Sequence, residues 1–161
     1  HMSRQIILLA HNIRSLWNVG SLFRTCDGFG VEKLYLTGYT GRPPRKEITK
    51  VALGADEFVP WEHADEPMRV VEDLRRDGWQ IVSLEQAEGS VSVNEFKPKF
   101  PLCLVLGSEI AGIRDDLLRG SDAVIEIPMI GKKESYNVAV AAGIALYELR
   151  RGQEVTRGHE R

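Results

Sequence analysis

Asn18 and Arg24 stand six residues apart in the segment Asn12 to Thr25, about 1.7 helical turns, so they do not share one helical face but can border one loop-lined cleft. An arginine offers five donors in a planar fork suited to phosphate, while an asparagine amide both donates and accepts. A second stretch, Gly107-Ser108-Glu109-Ile110-Ala111-Gly112-Ile113, sets one carboxylate between two glycines. Such a turn lets backbone approach a ligand closely and leaves Glu109 as an acceptor. The third stretch runs from Ile127 to Ala142 and places Gly131-Lys132-Lys133 and Ser135-Tyr136-Asn137 ahead of a series of small and apolar residues. Either Ser135 or Asn137 can cap a helix starting there, and helix N-terminal amides favour an anionic or polar ligand. Taken singly, each feature also has a purely structural account: a cap, a turn glycine, a solvated charge. None matches a Walker loop, which needs Gly-Lys-Ser/Thr, or a GxGxxG dinucleotide turn, which argues against a P-loop kinase or a dehydrogenase.

The hydrophobic pattern supplies the elements that must hold these residues. Gln5 to Ala10 and Lys33 to Thr37 read as short buried strands. Between them Val19, Leu22, Phe23, Cys26 and Phe29 recur at three- and four-residue steps, predicting a helix from Asn18 to Phe29 with Asn18 near its N-cap. The alternation continues: a weak strand at Glu57 to Val59, a helix at Pro67 to Arg76, and strands at Trp79 to Leu84 and Leu102 to Leu106. A short helix at Asp115 to Arg119, a strand at Ala123 to Ile127 and a terminal helix from Asn137 to Arg151 complete the series. This is an α/β pattern with a mostly parallel sheet and helices on both faces. Open sheets of this class take ligands beyond the carboxyl ends of their strands, which directs attention to the loops after Ala10, Leu84, Leu106 and Ile127. The terminal helix is apolar or small on nearly every face, so more than one neighbour must bury it, either a second subunit or an enclosing loop.

The 161 residues, 43% hydrophobic and 27% charged, suffice for one domain, expected at 4–151. His1-Met2-Ser3 reads as a cloning remnant and residues 152–161 as a charged tail. Nothing resembles an export signal or a membrane span, so a cytoplasmic location is expected. Cys26 and Cys103 lack any paired spacing and read as buried apolar residues, and the four histidines have no spacing for a shared metal, so no metal is expected. The net charge is -2, yet residues 1–50 carry eight Lys or Arg against three acids. That asymmetry suits a local surface for an anionic partner. Gly41 to Lys50, with Arg42, Arg45, Lys46 and Lys50 around two prolines, reads as a stiff exposed loop able to grip phosphates, with Arg14 and Lys132 as further candidates.

In order and separation, NxGxxxR (Asn18, Gly20, Arg24), Leu104 to Ile113 and Ile127 to Ile144 resemble the three motifs of the SpoU/TrmH branch of the SPOUT RNA methyltransferases. The likeness spans Ile6 to Arg150 and departs at Tyr136, where the family usually has Leu. It implies a C-terminal deep trefoil knot, a homodimer, and S-adenosyl-L-methionine as cofactor. It also implies methyl transfer to a ribose 2'-hydroxyl of tRNA or rRNA, the wording IPMIG leaning toward tRNA. Under this resemblance Leu84, Leu106, Gly107, Ile127, Met129, Ser135 and Val138 surround the cofactor. Arg24 activates or orients the hydroxyl, Asn18 and Glu109 fix the arginine and its loop, and Ser135 and Asn137 place the ribose. An arginine pKa above about 12 makes Arg24 a reluctant base, so phosphate binding is its other available role. The alternative reading is a non-catalytic RNA- or nucleotide-binding module on the same scaffold.

Overall fold

The computed structural model describes residues 4–153; the expected remnant at 1–3 and most of the expected tail lie outside them. Short runs, continuously apolar only in the central strands, form a seven-stranded sheet in the order β3-β2-β1-β6-β4-β7-β5. The strands are β1 (Ile6–His11), β2 (Lys33–Thr37), β3 (Trp61–Ala64), β4 (Gln80–Leu84), β5 (Val91–Ser92), β6 (Leu102–Leu106) and β7 (Ala123–Glu126). Every pairing between them is parallel. All residues of β1 and β6 are buried, as continuous apolar strands covered on both faces must be. Helices α1 (Leu16–Phe29), α2 (Lys46–Ala52), α3 (Ala55–Phe58) and α6 (Val138–Leu149) enclose one core, built on Leu8, Phe23, Ile48, Leu104 and Leu146. Helices α4 (Pro67–Arg76) and α5 (Asp115–Arg119) cover the other face over Leu9, Val71, Val105 and Leu117. Among the described residues no helix is long and apolar enough to cross a membrane. Both cysteines are buried, and burial pushes the Cys103 thiol up to about 12.

Three expectations are corrected. Asn18 does not cap α1: Ser15 is the N-cap, its Oγ accepting from the Asn18 amide at 3.2 Å, and the helix starts at Leu16. A serine hydroxyl reaches the amide three residues on, so the side chain of Asn18 is free for other work. The weak strand at Glu57 to Val59 is instead the end of α3, with Asp56 and Glu57 in the first turn where the helix dipole favours acids. The third strand follows Pro60, whose carbonyl accepts from the Leu34 amide as β3 aligns on β2. Finally, Lys46 and Lys50 belong to α2 rather than to an extended loop, which ends at Arg45.

Close backbone approach fixes the first layer. A Cβ on Gly20 would lie 2.7 Å from the Ile48 carbonyl oxygen and 2.9 Å from Val51 Cβ, so α1 and α2 meet where α1 lacks a side chain. Arg150, just after α6, donates to the carbonyls of Phe29 at 2.9 Å and Gly30 at 3.0 Å. It thereby ties the end of α6 to the end of α1.

Candidate active site

The three singled-out stretches converge at the carboxyl ends of β1, β6 and β7. Asn18, in the first turn of α1, donates through Nδ2 to Glu109 Oε2 at 2.9 Å. The other Glu109 oxygen accepts from the Arg14 amide at 3.3 Å. Asn137 Nδ2 donates to Asn18 Oδ1 at 3.1 Å, while its Oδ1 accepts from the amides of Ala139 at 2.9 Å and Val140 at 3.2 Å and so caps α6. The cap is therefore Asn137, not Ser135. Burial alone would raise the Glu109 pKa, but hydrogen bonds from Asn18 and from the backbone of Glu109, Arg14 and Ser15 outweigh it and hold the pKa below the usual value. Glu109 is thus a fixed carboxylate whose acceptor sites orient Asn18, and through it Asn137.

Beside this chain of side chains lies a cavity of about 390 Å³ bounded by Leu84, Leu106, Gly107, Ile127, Ser135 and Val138. Its size falls in the range of roughly 300–1,000 Å³ that holds small-molecule ligands. Gly107 packs so tightly on Gly112 that a Cβ would meet the Gly112 carbonyl at 2.5 Å. Ser108 Oγ accepts from the Ile110 and Ala111 amides at 3.2 and 3.3 Å, so the loop after β6 is a closed turn. Apolar side chains at the strand ends, Leu84, Leu106, Ile127 and Val138, share the wall with polar groups, a mixture that suits a purine nucleoside. Four carboxylates, Glu85, Glu109, Glu126 and Glu134, line the cavity with no Lys or Arg among the lining residues, which suits a ligand bearing positive charge.

Of these, Glu85, Glu126 and Glu134 were not singled out from the sequence, whereas Tyr136, the departure from the family's usual Leu, also lines the cavity. Glu85 directly follows Leu84, so the strand end was the available signal. Its Oε2 accepts from the Ile113 amide at 3.4 Å, and burial raises its pKa with that hydrogen bond opposing. It fills the space beside Gly112, where a Cβ would lie 2.3 Å from Glu85 Oε2. Met129 is not among the lining residues. Arg24 is exposed on α1 and makes no hydrogen bond or ion pair among the described residues, outside the Asn18, Glu109 and Asn137 cluster. Arg14, Arg42, Arg45, Lys46, Lys50 and Lys132 are all exposed, as a surface for phosphates requires. Among the described residues no three His, Cys, Asp or Glu side chains group as a metal site.

A parallel α/β sheet with a nucleoside-sized cavity at its carboxyl edge defines a nucleotide- or cofactor-binding protein. The chain belongs to the SpoU rRNA Methylase family, whose sequence model matches residues 5–147. It is 34% identical over 152 residues to the tRNA (guanosine(18)-2'-O)-methyltransferase of Aquifex aeolicus, covering 94% of this chain and 71% of that one. It is 31% identical to the 23S rRNA (guanosine-2'-O-)-methyltransferase RlmB of Coxiella burnetii, covering 92% and 59% respectively. The fold superposes with a TM-score of 0.89 on an AdoMet-bound rRNA methyltransferase from Sinorhizobium meliloti at 29% identity, covering 96% of this chain and 59% of the other. The chain thus spans between about three fifths and seven tenths of these relatives.

Proposed function

We propose that the chain transfers the methyl group of S-adenosyl-L-methionine to a ribose 2'-hydroxyl of structured RNA, with tRNA ahead of rRNA on the wording of Ile127-Pro128-Met129-Ile130-Gly131. The observation that carries this reading is the Glu109, Asn18, Asn137 chain of hydrogen bonds, which joins all three motifs at the rim of a nucleoside-sized cavity. Leu84, Leu106, Gly107, Ile127 and Val138 would hold the adenosine, and the acidic lining favours its cationic form. When bound, this cofactor supplies an electrophilic sulfonium methyl.

The chain's own residues must align the hydroxyl and help its proton leave. Arg24, free of carboxylate partners among the described residues, is available to the RNA backbone, where its guanidinium grips a phosphate and orients the adjacent hydroxyl. Asn137 commits its Oδ1 to the first amides of α6 and one Nδ2 proton to Asn18, so it positions the rim, and its second Nδ2 proton and the exposed cavity-lining Ser135 are the groups of that pair left to meet the ribose. The C-terminal chain from β6 onward would thread as a deep trefoil knot around this cavity, and the protein would work as a homodimer.

Calorimetric titration with S-adenosylmethionine and S-adenosylhomocysteine, followed by methyl incorporation into tRNA and 23S rRNA transcripts, tests the reading. Binding lost in Leu106→Arg and methyl transfer lost in Arg24→Ala with cofactor binding intact are the expected results. Near-normal transfer by Arg24→Ala would remove Arg24 from the mechanism, and absence of cofactor binding with or without RNA would favour the non-catalytic module.

A further inference from the structure

Two large aromatic side chains stand in water beside the site with no part in it: Trp17, 49% exposed, and Tyr39, 56% exposed. Neither lines the cavity, and neither belongs to the apolar face of α6. Isolated exposed aromatics need no explanation, but here the backbone beneath them is unusually fixed. Asn12 adopts φ +56, a left-handed conformation that Asn tolerates better than most residues. Its Oδ1 accepts from the Tyr39 amide at 2.9 Å. Gly38, also left-handed at φ +65, could not carry a Cβ, which would fall 2.0 Å from Asn12 Oδ1.

Next to it the buried Thr40 hydroxyl accepts from the Ile13 amide at 3.0 Å and lies 2.7 Å from the Thr37 carbonyl, to which it donates. Gly41 then passes so close to Leu16 that a Cβ would meet Cδ2 at 2.2 Å. The loop after β1, the loop after β2 and the start of α1 are therefore sewn into one rigid surface. Exposed on it are Trp17 and Tyr39, together with Arg14 and Arg42.

We propose that Trp17 and Tyr39 form a stacking platform for an unpaired RNA base next to the target nucleotide, flanked by Arg14 and Arg42 on the phosphates. Aromatic faces interleaved with cations are what a single-stranded nucleic acid requires, since every base presents a π-face and every linkage a negative charge. A paired base hides its faces in the stack, so the platform selects a loop, bulge or splayed nucleotide. The surface runs on from the functional rim: Asn18 follows Trp17 in the chain, and Glu109 accepts from the Arg14 amide. Rigidity matters because a preformed platform spares the ordering entropy of binding. This inference rests on the RNA-methyltransferase reading and names the kind of RNA that reading takes.

The probes are a single-stranded RNA oligonucleotide carrying one 2-aminopurine and the same strand annealed to its complement, titrated onto the full chain in the presence of S-adenosylhomocysteine. Stacking quenches the 2-aminopurine of the single strand. Trp17→Ala and Tyr39→Ala each weaken its binding by roughly fivefold to a hundredfold and reduce the quench. Tyr39→Phe keeps both, and affinity for S-adenosylhomocysteine and hydrodynamic size stay at wild-type values. Unchanged affinity and quench in the double alanine variant overturn the proposal. So does an equal loss of affinity for the duplex, or a change of hydrodynamic size in the alanine variants, which would make the aromatics a subunit contact. A wild-type chain that stacks the oligonucleotide yet binds neither S-adenosylmethionine nor S-adenosylhomocysteine would sink the methyltransferase reading and leave the platform standing.

Discussion

The carboxylate of Glu109 has its pKa lowered against the pull of burial, and Asn18 is the foremost of the groups that lower it. An acid with a depressed folded pKa contributes stability above its unfolded pKa and loses it as pH falls through the folded one. Asn18→Ala removes the donor, so the wild type's thermal-stability advantage over it at neutral pH should shrink on acidification. Asn18→Asp should be worse than Ala at neutral pH, because it sets a second carboxylate against Glu109, and the two variants should converge once both acids are protonated. Melting temperature against pH for the three proteins checks this; variants whose difference persists at acid pH would refute the charge account. Glu85 has the opposite sign: burial raises its pKa, so its charged form costs folding free energy above the unfolded pKa. Glu85→Gln should therefore raise the melting temperature at neutral pH, with the gain fading as pH falls through the raised folded value toward the ordinary carboxylate range. Glu109 was legible from its place between two glycines, whereas Glu85 was not, because its role depends on where the loop after β6 folds back onto the end of β4.

At the scale of elements, α6 begins on Asn137, whose two jobs can be separated by substitution. Asparagine and aspartate both accept from helix amides, but only the amide can donate to Asn18. Asn137→Asp should keep most of the stability and lose the bridge, while Asn137→Ala should lose both, costing about 1 kcal/mol for the cap. Urea denaturation reads the stability, and methyl transfer falling in both variants would place the bridge in function. Gly20→Ala sets two effects against each other. Alanine gains at most about 1 kcal/mol of helix propensity, whereas forcing a methyl against the rigid Ile48 carbonyl costs about 1–3 kcal/mol. Net destabilisation is expected, and a more stable Gly20→Ala chain would show that α1 and α2 can separate. Long periodic or continuously apolar segments such as α1, α4 and β6 were legible because burial alone dictates them. Helix α2 was hidden by its charge and the prolines before it, and α3 by being a single turn whose form depends on the left-handed Gly54.

For the molecule as a whole, charge divides between the cavity and its surroundings at the sheet's carboxyl edge: the cavity lining holds four carboxylates and no Lys or Arg, while exposed cations stand outside it, Arg14 and Arg42 after β1 and β2 and Lys132 after β7. Such a division draws RNA to the surface around the cavity and a cationic cofactor into it without either competing. One large surface remains outside it: Ala139, Val140, Gly143, Ile144 and Tyr147 on α6 form an apolar groove with Phe29 of α1. Val140 is 51% and Tyr147 66% exposed, although the sequence required this helix to be buried by more than one neighbour. Small residues at 139 and 143, one turn apart, let another helix approach closely, and the Phe29 and Tyr147 rings, 6.5 Å apart and edge to face, supply area at its end. Under the proposed homodimer, Val140→Asp would place a charge in the seam and leave the monomer fold intact, since Val140 already faces water. Sedimentation should then show a wild-type dimer and a variant monomer with unchanged circular dichroism. Because Asn137 precedes this face by one turn and reaches Asn18, loss of the dimer should also weaken methyl transfer. A monomeric Val140→Asp with full activity would mean that each chain carries a complete site.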